Sequence, residues 1–109
     1  MSYIRASKTV VGGGNVNYSY TIIAIPNSGT AYSTVETLNG FAVITNISST
    51  LEYGYNIRNW AVIGNGSILD SYAYNSNASI GYNTSNHKLY ATNNATAAST
   101  LYLHIWTIN

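Results

Sequence analysis

An all-β fold follows from three observations on the chain. Asn, Ser and Thr number 15, 13 and 12 of 109 residues, and these short side chains compete for backbone hydrogen bonds, which disfavours helix interiors and favours turns and strand faces. Eleven tyrosines accompany many Val, Ile and Thr, the residue types that fit a pleated surface. Apolar residues recur at every second position in short runs bounded by Gly, Asn and Pro, the pattern of half-buried strands. Together these predict one domain over residues 1–109, a small antiparallel β-barrel or sandwich of about seven or eight short strands. Only 6% of residues are charged. Sheets ordinarily guard their edges with charge, so its scarcity predicts edges closed by a barrel or covered by self-association.

The first strand is expected from Tyr3 to Val11, ending at Gly12-Gly13-Gly14-Asn15, a run that cannot hold a regular element. Val16 to Ile25 sets Val16, Tyr18, Tyr20 and Ile22 against Asn17, Ser19 and Thr21, then turns at Pro26-Asn27-Ser28-Gly29. Ala31 to Val35 is a shorter candidate, and Asn39-Gly40 turns the chain into Phe41 to Ile47. Leu51, Tyr53, Tyr55 and Ile57 alternate in a long run that continues through Trp60, Val62 and Ile63 to Asn65-Gly66, the preferred two-residue hairpin turn. Pairing outward from that turn places Val62 opposite Leu69, Trp60 opposite Ser71 and Asn59 opposite Tyr72. The apolar phase changes between Ile57 and Trp60, which predicts a bulge there. Ser79 to Tyr82 and Lys88 to Thr92 are short strands joined by a polar turn that carries His87, and Asn93 to Ser99 is a polar loop. Thr100 to Ile108 is apolar on both faces, the mark of a strand buried on both.

Composition narrows function. Zero cysteines exclude disulfides, thiolate zinc sites and cysteine nucleophiles. Four basic residues, Arg5, Lys8, Arg58 and Lys88, with a net charge of +1, make no stripe for a row of phosphates, so nucleic acid is not the expected partner. No apolar run reaches the roughly 18 residues of a transmembrane helix, and membrane insertion is not expected. The start of the chain shows no charged-then-apolar leader pattern. Six N-x-[ST] triplets, beginning at Asn17, Asn46, Asn65, Asn77, Asn83 and Asn94, exceed the roughly 3.4 that this Asn, Ser and Thr content gives by chance, an excess too small to outweigh the missing leader pattern.

The acids are Glu36, Glu52 and Asp70, on three separate segments. A glycosidase needs two carboxylates facing each other in distinct environments, and solvated acids are the simpler expectation. His87 and His104 show no metal-ligand spacing with them, and no G-x-S-x-G elbow presents a serine nucleophile. The expectation is therefore a domain without catalysis, metal or cofactor.

The pairs Tyr18/Tyr20, Tyr53/Tyr55 and Tyr72/Tyr74 are the most distinctive feature. Residues two apart on a strand point the same way and form a ridge of phenols. Such ridges pack against sugar rings when amides and carboxylates stand nearby for the hydroxyls, and they equally pack subunit interfaces. Asp70, the only aspartate, lies two residues before Tyr72 on the expected hairpin face, with Asn59 opposite Tyr72. Asn59, Asp70 and Tyr72 are thus expected to form a polar and aromatic ligand site. Trp60 and Trp106 lie in apolar strands and read first as core or interface residues. His104, between Leu103 and Ile105, reads as a hydrogen-bonded buried histidine or as one lining a ligand cavity.

The Cys-free, charge-poor, Asn/Ser/Thr/Tyr-rich composition, ending in Thr100-Leu101-Tyr102-Leu103-His104-Ile105-Trp106-Thr107-Ile108-Asn109, resembles the C-terminal receptor-binding head domains of phage tail and baseplate proteins, closest in style to those of lactococcal siphophages. The resemblance implies a compact β-barrel at the C-terminal tip of a longer protein, a homotrimer on the virion that binds bacterial cell-wall saccharide. It also implies a ligand pocket with His, Asp, Trp and Arg near the subunit boundary, of which only His104 and Trp106 are carried here. An His-x-Asp arrangement is absent, since position 106 is Trp. The alternative is a structural or assembly domain, a fibre tip or spacer, whose tyrosines pack against sister subunits.

Overall fold

The computed structural model describes residues 17–46, 57–74, 77–94 and 100–108. Eight antiparallel strands and no helix lie among them: β1 (Tyr18–Ile25), β2 (Thr30–Glu36), β3 (Gly40–Thr45), β4 (Asn59–Gly64), β5 (Ser67–Ala73), β6 (Ala78–Asn83), β7 (Lys88–Asn93) and β8 (Leu101–Ile108). A five-stranded sheet of order β1-β8-β3-β4-β5 packs on a three-stranded sheet of order β2-β7-β6. Of the two expected architectures the sandwich forms, and the barrel is not closed. The strand expected over 3–11 and the 51–56 part of the long run lie outside the described residues.

The core follows from the alternation. Ile25, Ala42, Ile44, Ala61, Ile63, Leu101, Leu103 and Ile105 of the large sheet meet Ala31, Ala78, Leu89 and Ala91 of the small one. Aliphatic residues on one sheet face mostly alanines on the other, which lets the two layers approach closely. β8 pairs with β1 on one side and β3 on the other and is buried along nearly its whole length. Its two apolar faces meet different neighbours: the inner face meets the core, and on the outer face Trp106 joins Val43, with Tyr20, Phe41, Ile57 and Trp60 packed against them.

Neutral polar side chains tie the layers together, and this accounts for part of the Asn and Thr content. The Asn59 amide on β4 donates to the Ala78 carbonyl on β6 at 2.9 Å, and the Asn93 amide on β7 donates to the Ile25 carbonyl on β1 at 3.2 Å. The Thr37 and Thr107 hydroxyls meet at 2.8 Å, and the Tyr82 hydroxyl donates to the Thr37 carbonyl at 2.7 Å. All but Tyr82 are buried, where a paired amide or hydroxyl avoids the desolvation loss an orphan would suffer.

The Asn65-Gly66 turn forms as expected, both residues at positive φ (51° and 77°). The pairing beyond it differs. Gly64 faces Ser67 and Ile63 faces Ile68 in the expected register, but Val62 then faces Asp70, Trp60 faces Tyr72 and Asn59 faces Ala73. The extra residue is Leu69, so the bulge lies in β5 and not between Ile57 and Trp60. Near Ile57 the ladder stays regular, with the Tyr74 N–H donating to the Arg58 carbonyl at 2.9 Å. The phase change in the sequence marks the start of β4, not an irregularity within it.

Candidate functional site

The bulge at Leu69 separates the expected site residues. Because side chains alternate with period two, a shift of one residue sends them to opposite faces. Asp70 and Tyr72 point outward beside Val62 and Trp60, and the Tyr72 ring stacks on Trp60 with centroids 6.2 Å apart and planes 21° apart. Asn59, paired with Ala73, points inward and is buried against Ala78. The expected cluster of Asn59, Asp70 and Tyr72 therefore does not assemble: Asp70 and Tyr72 share a surface, and Asn59 serves the core.

His104 is fully buried on the outer face of the large sheet. Its Nδ1 lies 2.5 Å from the Tyr20 hydroxyl and its Nε2 lies 2.9 Å from the Thr45 hydroxyl. A neutral imidazole satisfies both, accepting through one nitrogen and donating through the other, because a hydroxyl takes either role. Its ring stacks with Tyr20 and Trp106. Trp106 itself is buried between Tyr20, at 5.0 Å, and Phe41, at 4.8 Å. Both residues thus follow the structural reading of the sequence, a hydrogen-bonded histidine and a packed tryptophan.

A different set of residues forms a concave site on the outer face of the three-stranded sheet. A shallow pocket of about 110 Å³ is lined by Tyr32, Ser33, Asn83, Asn86, Lys88, Leu89 and Tyr90. Strand register builds it: Tyr32, Tyr90 and Gly81 stand side by side on β2, β7 and β6, and Glu36, Lys88 and Asn83 form the neighbouring outward row. Between these rows Ser33, Thr34 and Val35 of β2 stand against Leu89 alone on β7. The displaced backbone is satisfied locally, with the Val35 N–H donating to the Ser33 hydroxyl at 3.0 Å and that hydroxyl lying 3.1 Å from the Val35 carbonyl. Bulges re-aim side chains, and here the irregularity opens the sheet beside two tyrosines.

The tyrosine rings lie 5.9 Å apart with planes at 36°. Gly81 helps place one of them. A Cβ at position 81 would fall 2.2 to 2.6 Å from the outer atoms of the Tyr90 ring, so the ring lies across the glycine backbone. The β6–β7 turn supplies the amides: the Asn83 Oδ1 accepts the Ser85 N–H at 2.9 Å and the Asn86 Oδ1 accepts the Lys88 N–H at 3.1 Å. Each carboxamide oxygen thus holds the turn with one of its lone pairs, and each NH₂ is a donor that a ligand can meet.

Sequence reasoning passed over this pocket. Tyr32 and Tyr90 are not a Tyr-x-Tyr pair, and only the β2–β7 register brings them together. One signal was present in the sequence, a glycine inside the Ser79 to Tyr82 strand, which often marks the close approach of another group. The acids are dispersed: Glu36 lies on the outer face of the small sheet, its carboxylate 3.8 Å from His87 Nδ1, and Asp70 lies on the outer face of the large sheet. Those two carboxylates cannot flank one glycosidic bond, and Glu52 lies outside the described residues. Among the described residues no three His, Asp or Glu side chains gather in a metal-binding group. Comparison with protein-family models, curated proteins and solved structures finds no match.

Proposed function

We propose that this domain is a non-catalytic saccharide-recognition module, with Tyr32, Tyr90, Asn83, Asn86 and Lys88 as its binding residues. The observation that carries the reading is the meeting of two tyrosines, two carboxamides and an ammonium in one shallow pocket. Sugar C–H groups pack on phenol faces, and amide N–H groups meet ring and hydroxyl oxygens. The pocket's volume equals that of a few waters, about 30 Å³ each, so it grips part of a pyranose and leaves the rest of a chain in solvent. One such contact is weak, and a homotrimer engaging a polymer at several points would raise its avidity by orders of magnitude. Bacterial cell-wall saccharide, met by the tip of a phage tail or baseplate, is the setting that the resemblance of the sequence implies.

Binding of labelled domain to intact Gram-positive cells and their purified wall polysaccharide, with free saccharides as competitors, tests this reading. Saturable, competed binding is expected, about tenfold weaker for Tyr32→Ala and unchanged for Tyr72→Ala on the opposite sheet. Absence of binding by a folded sample, or loss confined to Tyr72→Ala, overturns it.

A second reading, an assembly domain, is favoured by the other sheet. Val62, Tyr72 and Tyr74 are exposed on or beside the outer surface near the β5 edge, and Tyr18 and Ile108 are exposed where β1 meets β8. β5 is an edge strand whose residues are exposed except for Ile68. If this surface packs sister subunits, Tyr72→Ser and Val62→Ser lower the oligomeric state in sedimentation experiments and leave saccharide binding per monomer intact.

A further inference from the structure

The side chains lining the pocket offer a ligand mostly hydrogen-bond donors. The Asn83 and Asn86 carbonyl oxygens are engaged by backbone N–H groups, and the Ser33 hydroxyl is committed to Val35 on both its donor and its acceptor side. Each amide oxygen is thus partly used, whereas the two carboxamide NH₂ groups and the Lys88 ammonium only donate, and the two phenols take either role. No carboxylate lines the pocket. Neutral sugars present hydroxyls that donate as well as accept, and a site built for them usually supplies acceptors. This pocket instead matches a ligand rich in acceptors.

The charge on Lys88 points the same way. Its neighbour across the β2–β7 ladder is Glu36, yet the Glu36 carboxylate stands against His87, and among the described residues no carboxylate pairs with Lys88. The pocket therefore holds a cation flanked by two amide donors and two aromatic faces. Charge-assisted hydrogen bonds from such a group to a carboxylate or phosphate are the stronger kind. We infer that the pocket takes an acidic saccharide, whose anionic substituent lies against Lys88, Asn83 and Asn86 while its ring packs on Tyr32 and Tyr90. This inference rests on the saccharide-binding reading and specifies its ligand class.

A glycan array carrying carboxylate-bearing, phosphate-bearing and neutral oligosaccharides, probed with wild type, Lys88→Gln and Lys88→Arg, tests it. Binding confined to anionic glycans is expected, about tenfold weaker for Lys88→Gln and largely restored by Lys88→Arg. The carboxylate and phosphate arms identify which anion is read. Circular dichroism and thermal unfolding of each variant separate lost binding from lost fold. Where Lys88→Gln fails to fold, the comparison of neutral with anionic glycans on the wild type decides alone. Equal binding of neutral glycans, or binding indifferent to Lys88→Gln, overturns the inference and leaves the saccharide reading standing. No glycan bound by folded wild type overturns both.

Discussion

Replacing Gly40 by alanine tests how tightly the centre of the large sheet is drawn together. Gly40 pairs with Thr107 of β8 on one side and Ile63 of β4 on the other, so it cannot retreat from one strand without disturbing the other. An added Cβ would lie 2.0 Å from the Trp106 carbonyl oxygen and 3.2 Å from the Thr107 Cα. Comfortable separations between nonbonded carbons are about 3.5–4.0 Å, so the β3 and β8 backbones would have to part by more than about 1 Å. The φ of +156° adds a conformation that side-chain-bearing residues seldom adopt. Backbone strain of this kind costs about 1–3 kcal/mol and a forced overlap in packed structure about as much again. The expected loss is about 3 kcal/mol or more, roughly 12 °C or more in Tm for a domain of this size. Gly64→Ala is the control. Its Cβ would meet Leu69 side-chain atoms, the nearest at 2.5 Å, but Leu69 is 65% exposed and can swing away, so the loss should stay below about 1 kcal/mol. Guanidinium unfolding of the two variants reads the difference directly. A Gly40→Ala loss under about 1 kcal/mol, or one equal to that of Gly64→Ala, would refute the close approach of β3 to β8.

Deleting Leu69 should leave the β4–β5 ladder continuous, with Asp70 and Tyr72 still outward, at a change within about 1 kcal/mol; loss of the Trp60–Tyr72 ring contact in NMR spectra would show that the bulge is misplaced. Asn59→Ala removes the buried bond to the Ala78 carbonyl and should cost about 2 kcal/mol in denaturant unfolding without altering saccharide affinity, and a binding defect in the folded variant would return Asn59 to the site. Gly81→Ala should displace the Tyr90 ring and weaken saccharide binding about tenfold, with Tm falling by only a few degrees; unchanged affinity would remove Tyr90 from the pocket. Burial first, and the Glu36 carboxylate second, push the Tyr82 phenol above its ordinary value, and its donated bond to Thr37 also needs the proton. Folding therefore favours the protonated form, so this contribution to stability is full below about pH 10 and declines as pH rises through the raised pKa. Tyr82→Phe should show a shallower alkaline loss of stability than wild type, and parallel pH profiles would contradict the assignment.

The short-range grammar of the fold was legible because it depends on local chemistry. Positive φ at Asn65-Gly66, turns at Pro26–Gly29 and Asn83–His87, and the period-two pattern of β1 and β8 are all written in neighbouring residues. The apolar faces of the Thr100 to Ile108 segment likewise announced a strand buried on both sides, and β8 sits between β1 and β3. The candidate site was not legible in the same way. A single bulged residue, Leu69, sent Asn59 inward and left Asp70 and Tyr72 outside, and nothing in the sequence separates a bulge there from a regular ladder.

By itself, then, the sequence determined the class: Asn, Ser, Thr and Tyr with sparse charge and regular alternation permit strands and turns and little else. The tertiary structure decided which residues meet. Tyr32 stands beside Tyr90, and Lys88 beside Asn83 and Glu36, because β7 runs between β2 and β6, while Asn59 and Asn93 became ties between sheets because two layers closed over them. Local patterns set what each segment does with its own backbone; strand order and register are collective properties, fixed only when both faces of every strand find their partners.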